Sequence, residues 1–128
     1  MKKISLIFLF FTLFTINALH AKGDKEVVYI MGVSHAFNDS VVYFTEIIPM
    51  EGIKLESHSR ILPNLQHYAY ELKDYMNFKE GKPGRMSVIY FSKKRKSLEK
   101  TENKIKRKVL YRGKTVRYLG DKFKFTLP

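Results

Sequence analysis

Val27-Val28-Tyr29-Ile30-Met31-Gly32-Val33 is an apolar run dominated by β-branched and aromatic residues. A half-exposed strand alternates apolar with polar residues, because successive side chains leave opposite faces of the sheet. This run does not alternate, so it reads as a strand covered on both faces. A second β-rich stretch, Val41 to Ile48, ends at Pro49. Between the two lie Asn38 and Asp39, residues that tolerate the left-handed backbone of tight hairpin turns. The two runs are therefore expected to form a hairpin.

Further along, Pro63-Asn64 opens a helix with Asn64 as N-cap. Leu65, Tyr68, Ala69, Leu72 and Met76 make one apolar stripe at i, i+3, i+4, i+7 and i+11. Gly81-Lys82-Pro83-Gly84 ends that segment. Met50 to Ile61 has no clear period and reads as connection. Met86 to Phe91 is a third strand, and Ser92 to Arg112 is a second helix closed by Gly113. Lys114 to Leu119 and Lys122 to Leu127 read as two short strands, with Gly120-Asp121 as a two-residue hairpin turn. The order ββ-α-β-α-ββ predicts a single two-layer α/β domain, with a mixed sheet of about five strands and two helices packed on it.

Lys2 and Lys3, then the 13-residue apolar run from Ile4 to Ile16, then a polar break before Ala21, form the pattern of a secretory signal peptide. The run is shorter than the roughly 20 residues a membrane-spanning helix needs. Residues 1–21 are read as the signal and 22–128 as one domain, exported to the periplasm or secreted. The chain contains no cysteine. That excludes disulfides, thiolate metal sites and catalytic thiols. A chain of this size can bury roughly 65% of its unfolded surface and hold itself together by its core.

The combination VYIMGVSHAFNDSVVYFTEI, YELKDYM, a basic helix and VRYLGDKFKFT resembles a group of small exported Bacteroidales proteins. The resemblance implies a periplasmic or secreted setting and implies no activity.

The stretch Val33-Ser34-His35-Ala36-Phe37-Asn38-Asp39-Ser40 gathers the residue types of a serine nucleophile site. A nucleophile needs its base within hydrogen-bond reach. Ser34 and His35 are consecutive, so on a strand their side chains part to opposite faces. No glycine elbow surrounds Ser34. The stretch is read as a turn. His35, His58 and His67 form no metal-binding pair pattern, although Glu71 lies four residues after His67 on one helix face. Glu46, Glu51 and Glu56 lie near the second strand without a defined pairing. Gly81 to Gly84 lacks phosphate-loop spacing. No cofactor and no metal follow from any motif.

Charge is the feature that stands out. Residues 22–81 hold 6 Lys and Arg against 9 Asp and Glu, whereas residues 82–128 hold 16 against 3. Leu98, Ile105 and Val109 give the second helix a thin apolar stripe. Lys93, Lys94, Arg95, Lys96, Lys100, Lys104, Arg107 and Lys108 are left as exposed anion-binding candidates. Cations at a helix start oppose its dipole. Either the helix begins at Ser97, with Glu99 in its first turn, or Lys93 to Lys96 answer to something acidic. The leading expectation is a non-enzymatic binding domain whose basic helix meets an anionic lipid, a glycan or an acidic protein. Export sets nucleic acid aside, although phosphate neutralisation needs only such charge. The alternatives are a small hydrolase with a His/carboxylate site, or a structural subunit of an envelope assembly.

Overall fold

The computed structural model describes residues 26–55 and 61–128. In chain order the elements are β1 (Val27–His35), β2 (Val41–Phe44), β3 (Ile48–Glu51), α1 (Leu65–Phe78), β4 (Met86–Ser92), α2 (Arg95–Tyr111) and β5 (Thr115–Tyr118). A 3-10 turn, Gly120–Lys122, follows. The expected signal peptide, Glu56 and His58 lie outside the described residues.

β1 is the spine of a mixed five-stranded sheet. Antiparallel β4 covers one of its edges, from Tyr29 opposite Ser92 to His35 opposite Met86. The other edge is shared. β3 pairs antiparallel from Val27 opposite Glu51 to Ile30 opposite Ile48, and β2 pairs Val33 with Phe44 and Ser34 with Tyr43. β5 runs parallel along β2.

Three steps on β1 separate Ile30 from Val33, but four separate Phe44 from Ile48 on the facing chain. One extra residue is therefore inserted, which is a β-bulge. Thr45 pins it. Its N–H donates to the Gly32 carbonyl at 2.9 Å, and its hydroxyl accepts from the Gly32 N–H at 2.8 Å. The bulge resets the alternation, so Tyr43 and Ile48 pack on the same cluster although they are an odd number of residues apart. The one strand expected over Val41–Ile48 is thus two. Pro49, expected as a stop, lies exposed within β3, which has no second neighbouring strand among the described residues; proline is tolerated in such a setting.

Val28 and Ile30 pack toward α1, Met31 and Val33 toward α2. Because adjacent residues of a strand face opposite ways, the helices take opposite faces of the sheet. The α/β class, the mixed five-stranded sheet and the two packed helices are as the sequence predicts. The two expected layers become three, because β1 is apolar on both sides.

On the first face, Tyr68, Leu72 and Met76 of α1 are buried. Gly32 lets the helix approach: a Cβ there would stand 2.7 Å from Leu72 Cδ2 and 3.1 Å from Phe125 Cζ. Asn64 holds the N-cap position as expected, but with a left-handed backbone and no side-chain cap bond. The expected strand over Lys122–Leu127 and its Gly120-Asp121 hairpin do not form. Phe123 and Phe125 do alternate inward, with ring centroids 4.9 Å apart, and Phe125 stands edge-on to Tyr68 at 5.8 Å. Their backbone lies against α1 instead of beside a strand, with the Thr126 N–H donating to Glu71 at 3.0 Å.

Candidate functional site

Ser34 and His35 both belong to β1, so they leave it on opposite faces. On the α1 side, the Ser34 hydroxyl accepts from Arg85 Nε at 2.9 Å. The same guanidinium donates to the carbonyls of Ser34 (3.0 Å) and Val41 (2.7 Å) and to Asp39 Oδ2 (2.6 Å). It also lies over the Tyr43 ring at 5.0 Å. Asp39 Oδ1 accepts from the Val41 N–H at 3.0 Å. That bond first, and Arg85 after it, hold the Asp39 carboxyl below its usual range. Ala36 to Ser40 fold as the turn expected, while Val33 to His35 continue β1, and the buried Arg85 is the keystone of the turn. Sequence reading did not single out Arg85.

The other carboxylates are placed as follows. His67 Nε2 lies 3.2 Å from Glu71 Oε1 and 2.7 Å from the Thr126 carbonyl. The Thr126 hydroxyl donates to Glu71 at 2.6 Å, so this pair clasps the C-terminal segment onto α1. Glu51 ends β3. Glu46 sits exposed beside the bulge, near Glu102 and Tyr118. Burial first, then Glu46, pushes the Glu102 carboxyl up, with Lys106 opposing. Among the described residues no three His, Asp or Glu side chains gather as a metal site.

α2 starts at Arg95, not Ser97, and carries no acidic residue in its first turn. Leu98 explains the early start. It is the one buried residue of the helix, and its N–H bonds the Lys94 carbonyl at 3.3 Å. Lys93 to Lys96 therefore do stand at the positive end of the helix dipole. All eight candidate cations are exposed. Arg95 pairs with Glu99 at 3.3 Å and lies over the Tyr29 ring at 5.9 Å. Among the described residues, the other seven have no ion-pair partner.

Helical spacing sorts the charges into two rows. Arg95, Glu99, Glu102 and Lys106 follow at steps of 4, 3 and 4 and mix both signs. Lys96, Lys100, Lys104 and Arg107 follow at steps of 4, 4 and 3, opposite the apolar stripe of Leu98, Ile105 and Val109, with Lys108 alongside. This outward row is wholly cationic. It does not form a compact cluster, because the 17-residue helix is about 25 Å long.

The C-terminal half of α2 and the sheet beneath it enclose a cleft of about 240 Å³. Val33, Val42, Val88, Ile105 and Val109 form its apolar wall, and His35, Lys108, Arg112 and Lys114 its polar rim. Among the described residues no carboxylate lines it. Burial, then Lys114 and Arg85, lowers the His35 pKa from its ordinary value. Arg112 and Lys114 were not among the sequence candidates. They reach the cleft because the chain turns at Gly113 (φ 75°) to place β5 beside β2. No described helix is long and apolar enough to cross a membrane. Comparison with family models, curated proteins and solved structures returns no match, so the functional reading rests on this geometry.

Proposed function

We propose that this chain is an exported, non-enzymatic binding domain that uses α2 to contact an anionic envelope or extracellular partner. The observation that carries the reading is the outward row Lys96, Lys100, Lys104 and Arg107, extended by Lys108, with no ion-pair partner among the described residues. Cations without a carboxylate partner raise the local concentration of anions and speed their encounter. Export rests on the N-terminal pattern of residues 1–21. A His/carboxylate hydrolase would place a histidine against a carboxylate in a cleft. His35 instead shares its cleft with three cations, and the Glu71 beside His67 is occupied by Thr126.

Retention on anionic liposomes and on an acidic glycan across a salt series tests the reading. The screening length falls from about 10 Å at 0.1 M salt to about 3 Å at 1 M, so wild-type retention should fall steeply. Changing Lys100, Lys104, Arg107 and Lys108 together to Gln should weaken retention and flatten the salt response, with the fold intact. Wild type without salt-sensitive retention, or a variant that matches it, would overturn the proposal.

A further inference from the structure

One end of the molecule combines apolar tips with cations. The β1–β2 turn carries Phe37, which is fully solvent-exposed. Met86, opposite His35 at the start of β4, is 65% exposed, and Tyr111 at the end of α2 is 94% exposed. These come to the same end because the Thr115 N–H donates to the Ser40 carbonyl at 2.8 Å and Lys114 Nζ reaches the Ala36 carbonyl at 3.5 Å. Lys108, Arg112 and Lys114 stand around them at the cleft rim. Asp39, the one carboxylate of the turn, is committed to Arg85.

From this juxtaposition we infer that the anionic partner is a lipid bilayer, met end-on, with Phe37 and Tyr111 entering the headgroup layer and Lys108, Arg112 and Lys114 on the lipid phosphates. The inference rests on the binding reading of α2 and names its partner. Cations alone fit any polyanion. A fully exposed phenylalanine at a hairpin tip buries more of its surface at the acyl boundary than against a hydrated glycan, and aromatic residues with flanking cations suit that interface. Juxtaposed lysines and arginines add attraction to anionic headgroups that fades within a Debye length. The Lys93–Lys96 cluster, about 25 Å away along α2, then remains above the surface and contributes mainly to approach.

The chain contains no tryptophan, so a Phe37→Trp substitution reports that position alone, independent of the apolar run Ile4–Ile16. The full chain with Phe37→Trp is mixed with vesicles of phosphatidylcholine, with and without phosphatidylglycerol, and with brominated versions of the same lipids. A chain with Tyr70→Trp, at an exposed position of α1, serves as control. On anionic vesicles, emission from the Phe37→Trp chain should shift to the blue and be quenched by bromine, while the control stays as in buffer. Phe37→Ser with Tyr111→Ser should lower vesicle retention about tenfold and leave retention on an acidic glycan unchanged. If retention is salt-sensitive and lost with the four-residue α2 variant while Phe37→Trp emission stays as in buffer, α2 still binds anions and the bilayer inference falls. Equal quenching on neutral vesicles also overturns it, because the cations then have no part. If the α2 variant matches wild type and Phe37→Trp does not respond, both readings fall.

Discussion

The two faces of the sheet are covered by helices of similar length and very different attachment. α1 buries Tyr68, Leu72 and Met76, and the C-terminal segment adds Phe123 and Phe125 to the same cluster. α2 buries Leu98 alone, with Ile105 and Val109 half covered. One face is a core in which aromatic rings interlock. The other is a thin apolar seam beneath a helix whose remaining surface is charged. β1, β2 and β4 each supply side chains to both faces, so the asymmetry comes from the helices and not from the sheet. Stability is concentrated on one side, which leaves the composition of the other side free to serve a surface.

The largest expected effect tests that asymmetry. Leu72→Ala removes a fully buried side chain between α1 and Gly32, and should cost about 2–5 kcal/mol of unfolding free energy. Val109→Ala removes a half-covered side chain from the α2 seam and should cost well under half as much. Denaturant midpoints of the two variants against wild type measure both. Equal losses would mean that the two faces are built alike.

The contrast was partly legible in the sequence. The missing alternation in Val27–Val33 announced a strand buried on both faces, and a 3.6-residue period exposed the stripe of α1 and the thin one of α2. What was not legible depends on pairing between distant segments. VVYFTEII reads as one strand because the bulge at Thr45 exists only relative to β1. Phe123 and Phe125 alternate as a strand does, yet their backbone meets α1. Arg85 looked like one cation among many, since its four hydrogen bonds go to Ser34, Asp39 and Val41, more than forty residues away. The exposed cations of α2 were found because helical period alone orders them. The approach of Lys114 to the Ala36 carbonyl, next to Phe37, has no local signal, because it follows from β5 lying parallel to β2.

A smaller effect separates stability from surface role at the start of α2. Lys94 occupies the N-cap with extended backbone and no side-chain cap bond. Aspartate there would accept a backbone N–H of the first turn and suit the helix dipole, so Lys94→Asp should stabilise by about 1 kcal/mol. Thermal unfolding at low salt reads the gain. A helix start tuned for stability would show none, because its native residue would already be near optimal. A gain together with weaker retention on anionic liposomes would show that the cation is held there against the stability of the helix.

The smallest effect is a pH response confined to the α2 face. His35 is half-buried beside Lys114, with Lys108 and Arg112 sharing its cleft and Arg85 acting from the far face. Burial first, then Lys114 and Arg85, disfavour its protonated form, so its pKa in the folded chain lies below the ordinary value of about 6.5. Above that ordinary value the ring is neutral in both states, and its contribution to stability is fully present. As pH falls through about 6.5 toward the lowered value, the unfolded chain takes up the proton first and stability declines. Glu102 responds in the opposite sense. Its raised pKa means that stability is gained as pH falls and its carboxyl takes up a proton, which partly masks the histidine. The decline should therefore be read as the difference between wild type and His35→Gln, with Glu102 unchanged in both. That difference should be flat above pH 7 and should shrink between pH 6.5 and 5 as the wild type loses stability. If it grows on acidification, His35 is protonated more readily in the folded chain, and the cleft is less cationic than its lining residues imply.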